Sequence, residues 1–392
     1  MEARVTERKA VALFAGAGGL DLGAEQAGYS VVFAVEKEPV AVATLNRNRE
    51  CFFPRLPEVR PLDITKLDPH EVMREIRVEP GEIDLLVGGP PCVAFSKSGF
   101  HLEYKRAGLD PRASLLDDYV RFLVALRPKA FLMENVFGLA YRNQSRPFFD
   151  RLRAGIQEAG YSLSYGILNA ADYGVPQNRQ RLLVIGAREG RELELPPPTH
   201  WGEHERRVRP AWARELLPHV TAGEALIGVA EQPEPGELVN GKYGHLLPEI
   251  PPGGNYLHYT EHEGHPNPLF RWRSRYWTFL LKLSPDHPAS TIQGQPGPYV
   301  GPFHWENRRL RVPELKALHG FPPDYELTGN RREIQLQVGN AVPPLLARVV
   351  AARIRQRMET EEPIALLGRQ LTFSLGLTPT ELDRGSLTAR FS

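Results

Sequence analysis

Through the first ~190 residues, short apolar runs end in glycine- or proline-bearing turns and alternate with stretches of helical spacing. Val11–Phe14, Ser30–Val35, Ile83–Val87, Ala130–Met133 and Arg181–Ile185 read as strands. The stretch through Asn46, Asp117–Leu126 and Phe148–Ala159 read as helices. Strand and helix in alternation with short connections predict an α/β fold, a doubly wound, mainly parallel sheet. Ligands on such a sheet sit beyond the carboxyl ends of its strands.

The alternation stops near Glu189, and beyond it prolines and glycines punctuate the chain. A chain of 392 residues has room for two domains. We expect the sheet domain over 1–188 and a smaller, irregular domain over 189–325. A helix returning to the first domain is expected within 326–360, where Pro343–Met358 is well patterned, and an appended tail over 361–392. The 48 Lys and Arg nearly balance 47 Asp and Glu, which excludes a histone-like coat of positive charge but not a local basic cleft. No apolar stretch approaches a membrane span, and MEARVTERKA carries no apolar signal region, so the expected location is the cytoplasm. Two cysteines, Cys51 and Cys92, exclude a disulfide framework and a four-cysteine zinc site. The histidines show no zinc-ligand spacing with cysteine, so no metal is expected. Cys51 has no special framing and reads as a small packed residue.

Several segments carry more chemistry. FAGAGG, Phe14–Gly19, follows a strand and precedes a helix. Its glycines suit a tight turn or close approach of a ligand to backbone amides at a helix start. Glu36 ends the next strand, where an acid either binds ribose hydroxyls or is simply solvated. In GGPPCVAFS, Gly88–Ser96, two prolines fix the backbone ahead of Cys92 and aim its thiol from a strand end. Glu134 and Asn135 end the strand Ala130–Met133, as proton donor and partner or as a capping pair. QNRQR, Gln177–Arg181, sets Arg179 and Arg181 two apart, predicting two guanidiniums on one face for a phosphate and a base rim, or an edge ion pair.

Taken in order, FAGAGG, GGPPCVAFS, MENV, QNRQR and QVGNAVPP (Gln337–Pro344) resemble the motifs of the DNA (cytosine-5) methyltransferases, and the resemblance runs from about Val11 to Met358. It implies a Rossmann-like S-adenosylmethionine-dependent fold with a target-recognition domain. It implies methyl transfer to carbon 5 of a cytosine flipped out of a specific duplex sequence, with Cys92 adding to carbon 6. The catalytic set it implies is Cys92 with Glu134, Arg179 and Arg181, flanked by Pro91 and Asn135. The S-adenosylmethionine pocket it implies comprises Phe14, Gly16, Gly18, Gly19, Leu20, Glu36, Lys37, Asp63, Ile64, Gly89, Leu115, Asn340 and Ala341. An R-x-x-L element is matched by Arg112 and Leu115. One departure is Arg309-Leu310-Arg311-Val312-Pro313-Glu314, which lacks the family's usual threonine and second arginine there.

On this reading the partner is double-stranded DNA, touched by Ser96 and Lys97 of a basic loop suited to closing over it, and by Arg206, Arg207, Arg271 and Arg273 of the second domain. Each arginine cluster is otherwise a solvated charged face. The expected protein is a monomer, the modification enzyme beside a possible cognate restriction endonuclease with no stable complex between them. A tRNA cytosine-5 methyltransferase of the same fold is the alternative. A catalytically dead DNA-binding module leaves the intact Cys92, Glu134 and arginines without a purpose. A nicotinamide oxidoreductase leaves the proline-framed cysteine unexplained.

Overall fold

The computed structural model describes residues 7–91, 115–143, 145–202, 213–229, 232–272 and 276–360. Its main sheet contains β1 (Lys9–Leu13), β2 (Ser30–Val35), β3 (Leu85–Gly88), β4 (Ala130–Asn135), β5 (Ser164–Asn169) and β7 (Gln180–Ala187). The order is β2-β1-β3-β4-β7-β5. β2, β1, β3 and β4 run parallel, while β7 lies antiparallel to β4. The expected α/β architecture is borne out.

Both faces of the sheet are covered. Val11, Leu13, Leu86, Phe131, Met133, Leu182 and Val184 join an apolar cluster with α3 (Pro69–Ile76), α4 (Leu115–Leu126) and α5 (Arg146–Glu158). The alternate residues Ala10, Ala12, Leu85, Val87, Leu132, Leu183 and Ile185 are equally buried on the other side. This is why the strands show apolar runs rather than alternation. Two further helices, α1 (Gly19–Gln26) and α2 (Pro39–Phe52), follow β1 and β2.

The chain forms two compact units, the first within 1–168, 180–197 and 346–392, the second within 169–179 and 198–345. This corrects the expected boundaries at three points. Residues 189–197 stay with the sheet because Ser164 Oγ donates to Leu193 O at 2.5 Å and Arg191 Nη1 to Met358 O at 2.8 Å. Residues 169–179 leave it, with β6 (Gln177–Asn178) pairing instead with β10 (Ala289–Ser290). The helix α8 (Arg331–Asn340) belongs to the second unit, where Gln335 Nε2 donates to Gln293 O at 3.0 Å. Only α9 (Pro344–Glu359) returns, from Leu346 on. There Gly23 lies so close that a Cβ on it would meet Ala347 Cβ at 2.3 Å.

The second unit is short on regular structure, as its proline and glycine content predicts. It has the two-residue strands β8 (His200–Trp201) and β9 (Leu217–Pro218), the short helix α6 (Ala222–Leu226), α7 (Val312–His319) and several 3-10 turns. Edge-to-face aromatic contacts among Tyr243, Tyr256, Phe270, Phe279 and Tyr299 form one of its cores. The tail 361–392 lies outside the described residues.

Candidate active site

The register of the parallel strands lines up their carboxyl ends. Leu13 pairs with Val35 on one side and Gly88 on the other, and Gly88 pairs with Met133. The next residues along each strand, Phe14, Glu36, Gly89 and Glu134, therefore stand in a row along one edge, about 4.8 Å apart per strand.

At the β1 position the chain turns sharply. Phe14 takes φ +56°, Gly16 +55° and Gly18 +78°. An aromatic residue in the left-handed region is held there by its surroundings, and such strain collects at ligand sites. Gly18 is the N-cap of α1 and supplies no side-chain acceptor, so the first amides of that helix keep no side-chain cap. Gly19 and Leu20 open the helix and are buried. Glu36 is pinned: Oε2 accepts from Gly16 N at 2.7 Å, and Oε1 from Lys37 N and Glu38 N at 2.8 Å each. Lys37 itself points out to solvent.

Close by lies a group the sequence did not single out. Asp21, only 1% exposed, has its Oδ2 without a hydrogen-bond partner among the described residues. Burial, reinforced by the charge of Glu36, pushes its carboxyl up to about 8. An acid between Leu20 and Leu22 on a helix face carries no signal of its own.

Asp63 caps a 3-10 turn, accepting from Thr65 N at 3.1 Å and Thr65 Oγ1 at 2.8 Å, which holds its carboxyl below the usual range. Ile64 and Leu115 pack in or against the core of the sheet unit. At the β3 position, a Cβ on Gly88 would meet the Tyr119 ring at 2.9 Å and one on Gly89 would meet Glu134 Oε2 at 3.3 Å. The two glycines let the chain pass beside the acid.

Glu134 is largely buried and its Oε1 lies 2.7 Å from Arg181 Nε. This pair follows from topology. Glu134 stands opposite Leu183 across the antiparallel pair β4·β7. Arg181, two residues from Leu183, shares its face and is the diagonal neighbour of Glu134. Burial lowers the Arg181 pKa, and the Glu134 charge opposes that shift. Asn135 Nδ2 donates to Pro90 O at 3.1 Å, which fixes the proline pair running up to position 92. Pro91 is exposed. Cys92 lies outside the described residues, as do Ser96, Lys97, Arg112, Arg206, Arg207 and Arg273.

The expectation of two arginines on one face is corrected. Arg179 is fully buried in the second unit and donates to Ile292 O at 3.2 Å, Gly339 O at 2.6 Å and Ala341 O at 3.0 Å. Two of those carbonyls close the end of α8, so Arg179 is a C-terminal cap and a clamp, not a phosphate ligand. Gln177 of the same motif is equally structural, donating to Leu318 O at 3.2 Å. Asn340 is exposed at the end of α8 and Ala341 is buried. Gly339 is required because a Cβ there would meet Gly294 N at 2.2 Å. Cys51 is corrected too: it is exposed, near the end of α2, because the apolar face of that helix is made by Ala41, Val42 and Leu45.

In the segment 309–314, which departs from the family pattern, Arg311 Nε meets Glu237 at 2.6 Å, and Glu314 is gripped by Arg308 through two bonds of 2.8 Å. In the same unit Arg271, Trp272, Tyr276 and Trp277 are exposed.

Among the described residues, no helix is long and apolar enough to cross a membrane. A profile of the family described as C-5 cytosine-specific DNA methylase matches residues 9–356. The Type II methyltransferase M.SacI of Streptomyces achromogenes is 43% identical over 90% of this chain and 94% of its own length. The Type II methyltransferase M1.HphI of Haemophilus parahaemolyticus is 33% identical over 89% of this chain and 87% of its own. Among solved structures, the Entamoeba histolytica methyltransferase EhMeth matches with a TM-score of 0.59 at 14% identity, covering 91% of this chain and all of that one. A Spodoptera frugiperda DNMT2 variant matches with a TM-score of 0.58 at 17% identity, over 90% of this chain and all of that one. At such identities the structural likeness speaks for the fold.

Proposed function

Because the chain belongs to the C-5 cytosine-specific DNA methylase family, and is thus a methyltransferase acting on cytosine in DNA, we propose which residues perform that reaction. The observation that carries the assignment is the row of strand ends. It sets the pinned Glu36 and the turn at Phe14–Gly18 in line with the Glu134–Arg181 pair and with the Gly89–Pro91 approach to Cys92.

The methyl donor of this family is S-adenosylmethionine, which supplies an electrophilic sulfonium methyl when bound. The pocket residues fit it. The open amides at the start of α1 suit its carboxylate, and the Glu36 carboxylate, held by three backbone amides, keeps lone pairs for ribose hydroxyls. Asp63, Ile64, Leu115 and Gly89 complete the proposed pocket.

Carbon 5 of cytosine is a weak nucleophile. The Cys92 thiolate adds to carbon 6 and turns the ring into an enamine, whose carbon 5 takes the methyl group. Glu134 holds the edge of the base and stabilises a proton on ring nitrogen 3 as that charge develops, and Arg181 fixes the Glu134 carboxylate in place. Loss of the carbon 5 proton then expels Cys92. Neither carbon is accessible within a duplex, so the base is flipped out, at a cost of a few kcal/mol. We propose a duplex-specific modification enzyme of a restriction-modification system, a cytoplasmic monomer whose cognate endonuclease makes no stable complex with it.

Labelled S-adenosylmethionine is incubated with unmethylated duplex DNA and, separately, with tRNA. Label in DNA is expected, and label in tRNA alone overturns the reading. Cys92→Ala is expected to abolish transfer and to form no covalent complex with 5-fluorocytosine DNA. A Cys92→Ala enzyme that still methylates overturns the mechanism.

A further inference from the structure

Three turns of the second unit converge on one point. Glu249 closes the 3-10 turn Gly244–Glu249, His258 lies in the turn Tyr256–Tyr259, and His265 follows the left-handed Gly264. One ligand atom from each of the three lies within 4.8 Å of the other two. The side chains are half-buried or exposed, so an ion from solvent can reach them. Glu249 is exposed and its carboxylate takes a side-chain hydrogen bond with Tyr259, which holds it beside the two imidazoles. The imidazoles stand edge to face, with ring centroids 5.4 Å apart, and each lies 5.0 Å from the ring of Tyr259. Tyr259 is buried and donates its hydroxyl to Leu246 O at 2.7 Å, which ties the first turn to the second.

We propose that Glu249, His258 and His265 form a site for a zinc-class divalent cation that clamps the loop at 260–270. Two imidazoles and one carboxylate are a donor set that suits zinc, cobalt or nickel, with water in the remaining position. Metal–ligand bonds of about 2.1 Å give tetrahedral edges of roughly 3.4 Å. The three groups close onto an ion by shifts of about an ångström, within reach of side chains that are not locked in a core. His265 Nδ1 now accepts from Asn267 N at 3.2 Å, a contact that ligation exchanges for the metal bond. The consequence lies at the end of the loop. His265 N donates to Thr260 O, and Leu269 N and Phe270 N both donate to Tyr259 O, so the loop returns on itself and delivers Arg271 and Trp272 to the surface. A cation at its neck fixes the segment that presents those side chains. The site runs against the expectation, drawn from histidine–cysteine spacing alone, that no metal is held. It does not depend on the catalytic assignment.

The test uses the full chain, stripped with a chelator and titrated with cobalt(II). One equivalent is expected to bind with the intense visible absorption of a four-coordinate site. Zinc should displace it and raise the melting temperature. His258→Gln and His265→Gln are each expected to weaken binding about 10–100-fold. Glu249→Gln should weaken it less. His262→Gln, a neighbour stacked on Trp272 outside the cluster, should bind as the wild type does. Melting temperatures in chelator show whether each variant is folded. Absence of stoichiometric binding, or binding that survives the folded His258→Gln, His265→Gln double variant, overturns the proposal.

Discussion

The two units differ in the charges they bury. The sheet unit buries acids, Asp21, Glu36 and Glu134, while the second unit buries chiefly cations, Arg179, Lys282, Arg308 and Arg311, with Glu314 held between the two bonds from Arg308. The reason lies in which backbone groups each leaves unpaired. Parallel strands leading into helices expose amides at one edge, and acids collect there, as Glu36 does with three amides. The second unit has little sheet, and its turns and helix ends leave carbonyls over. Arg179 satisfies three of them, and Lys282 Nζ donates to Leu247 O at 3.4 Å, Ile250 O at 2.7 Å and Asn307 Oδ1 at 2.7 Å. Irregular backbone is made stable by long cationic side chains that reach where no strand can.

Substitutions test that contrast, beginning with the two largest expected effects. Arg179→Ala should destabilise the protein by about 3–5 kcal/mol in a denaturant titration, since it strands buried carbonyls. A loss under 1 kcal/mol breaks the comparison. Asp21→Asn tests the acid side. The folded pKa of Asp21 is raised, so the native protein holds a proton that the unfolded chain releases. Its neutral form is retained without cost below the ordinary carboxylate range, and stability is lost as pH rises towards about 8. Asp21→Asn should therefore match the wild type near pH 4 and exceed it by about 5 kcal/mol at pH 8. Equal pH profiles for the two proteins contradict this.

Arg181→Lys separates function from framework only two residues from Arg179. It keeps the charge and loses the planar fork. The rate of methyl transfer should fall about 10–100-fold, with a melting temperature near that of the wild type. The smallest effect concerns helix starts. Thr221 caps α6 with a reciprocal box, accepting from Glu224 N at 3.1 Å, whereas α1 begins on Gly18 with no side-chain cap. Thr221→Ala should cost about 1 kcal/mol by the same titration.

The sheet and the row of strand ends were legible because strand ends announce themselves: an apolar run, then FAGAGG, Val35-Glu36, GGPP or Glu134-Asn135. Parallel register then does the rest. Arg179 and Arg181 do not share a face, because a period of two holds only within one strand, and here β6 ends at Asn178 and β7 begins at Gln180. The chain passes between the two units at that step. The grouping of Glu249 with His258 and His265 was invisible for a different reason. Three tight turns bring them together, and no periodicity encodes a turn of that kind. Asp21 was missed because burial of a lone acid is a property of its neighbours.

The return of the chain to its first unit has a consequence for biosynthesis. The start and the end of the described chain meet where Arg8 pairs with Glu359, and Arg355 donates to Ala27 O at 2.8 Å. All of 198–345 is translated between β7 and the helix that completes the first unit. During synthesis the nascent sheet therefore waits, on the order of ten seconds at ordinary elongation rates, with the face of α1 that receives α9 still bare. A ribosome that stalls anywhere in that interval releases a chain without its closing helix, one that is a substrate for chaperones and proteases and cannot mark a genome.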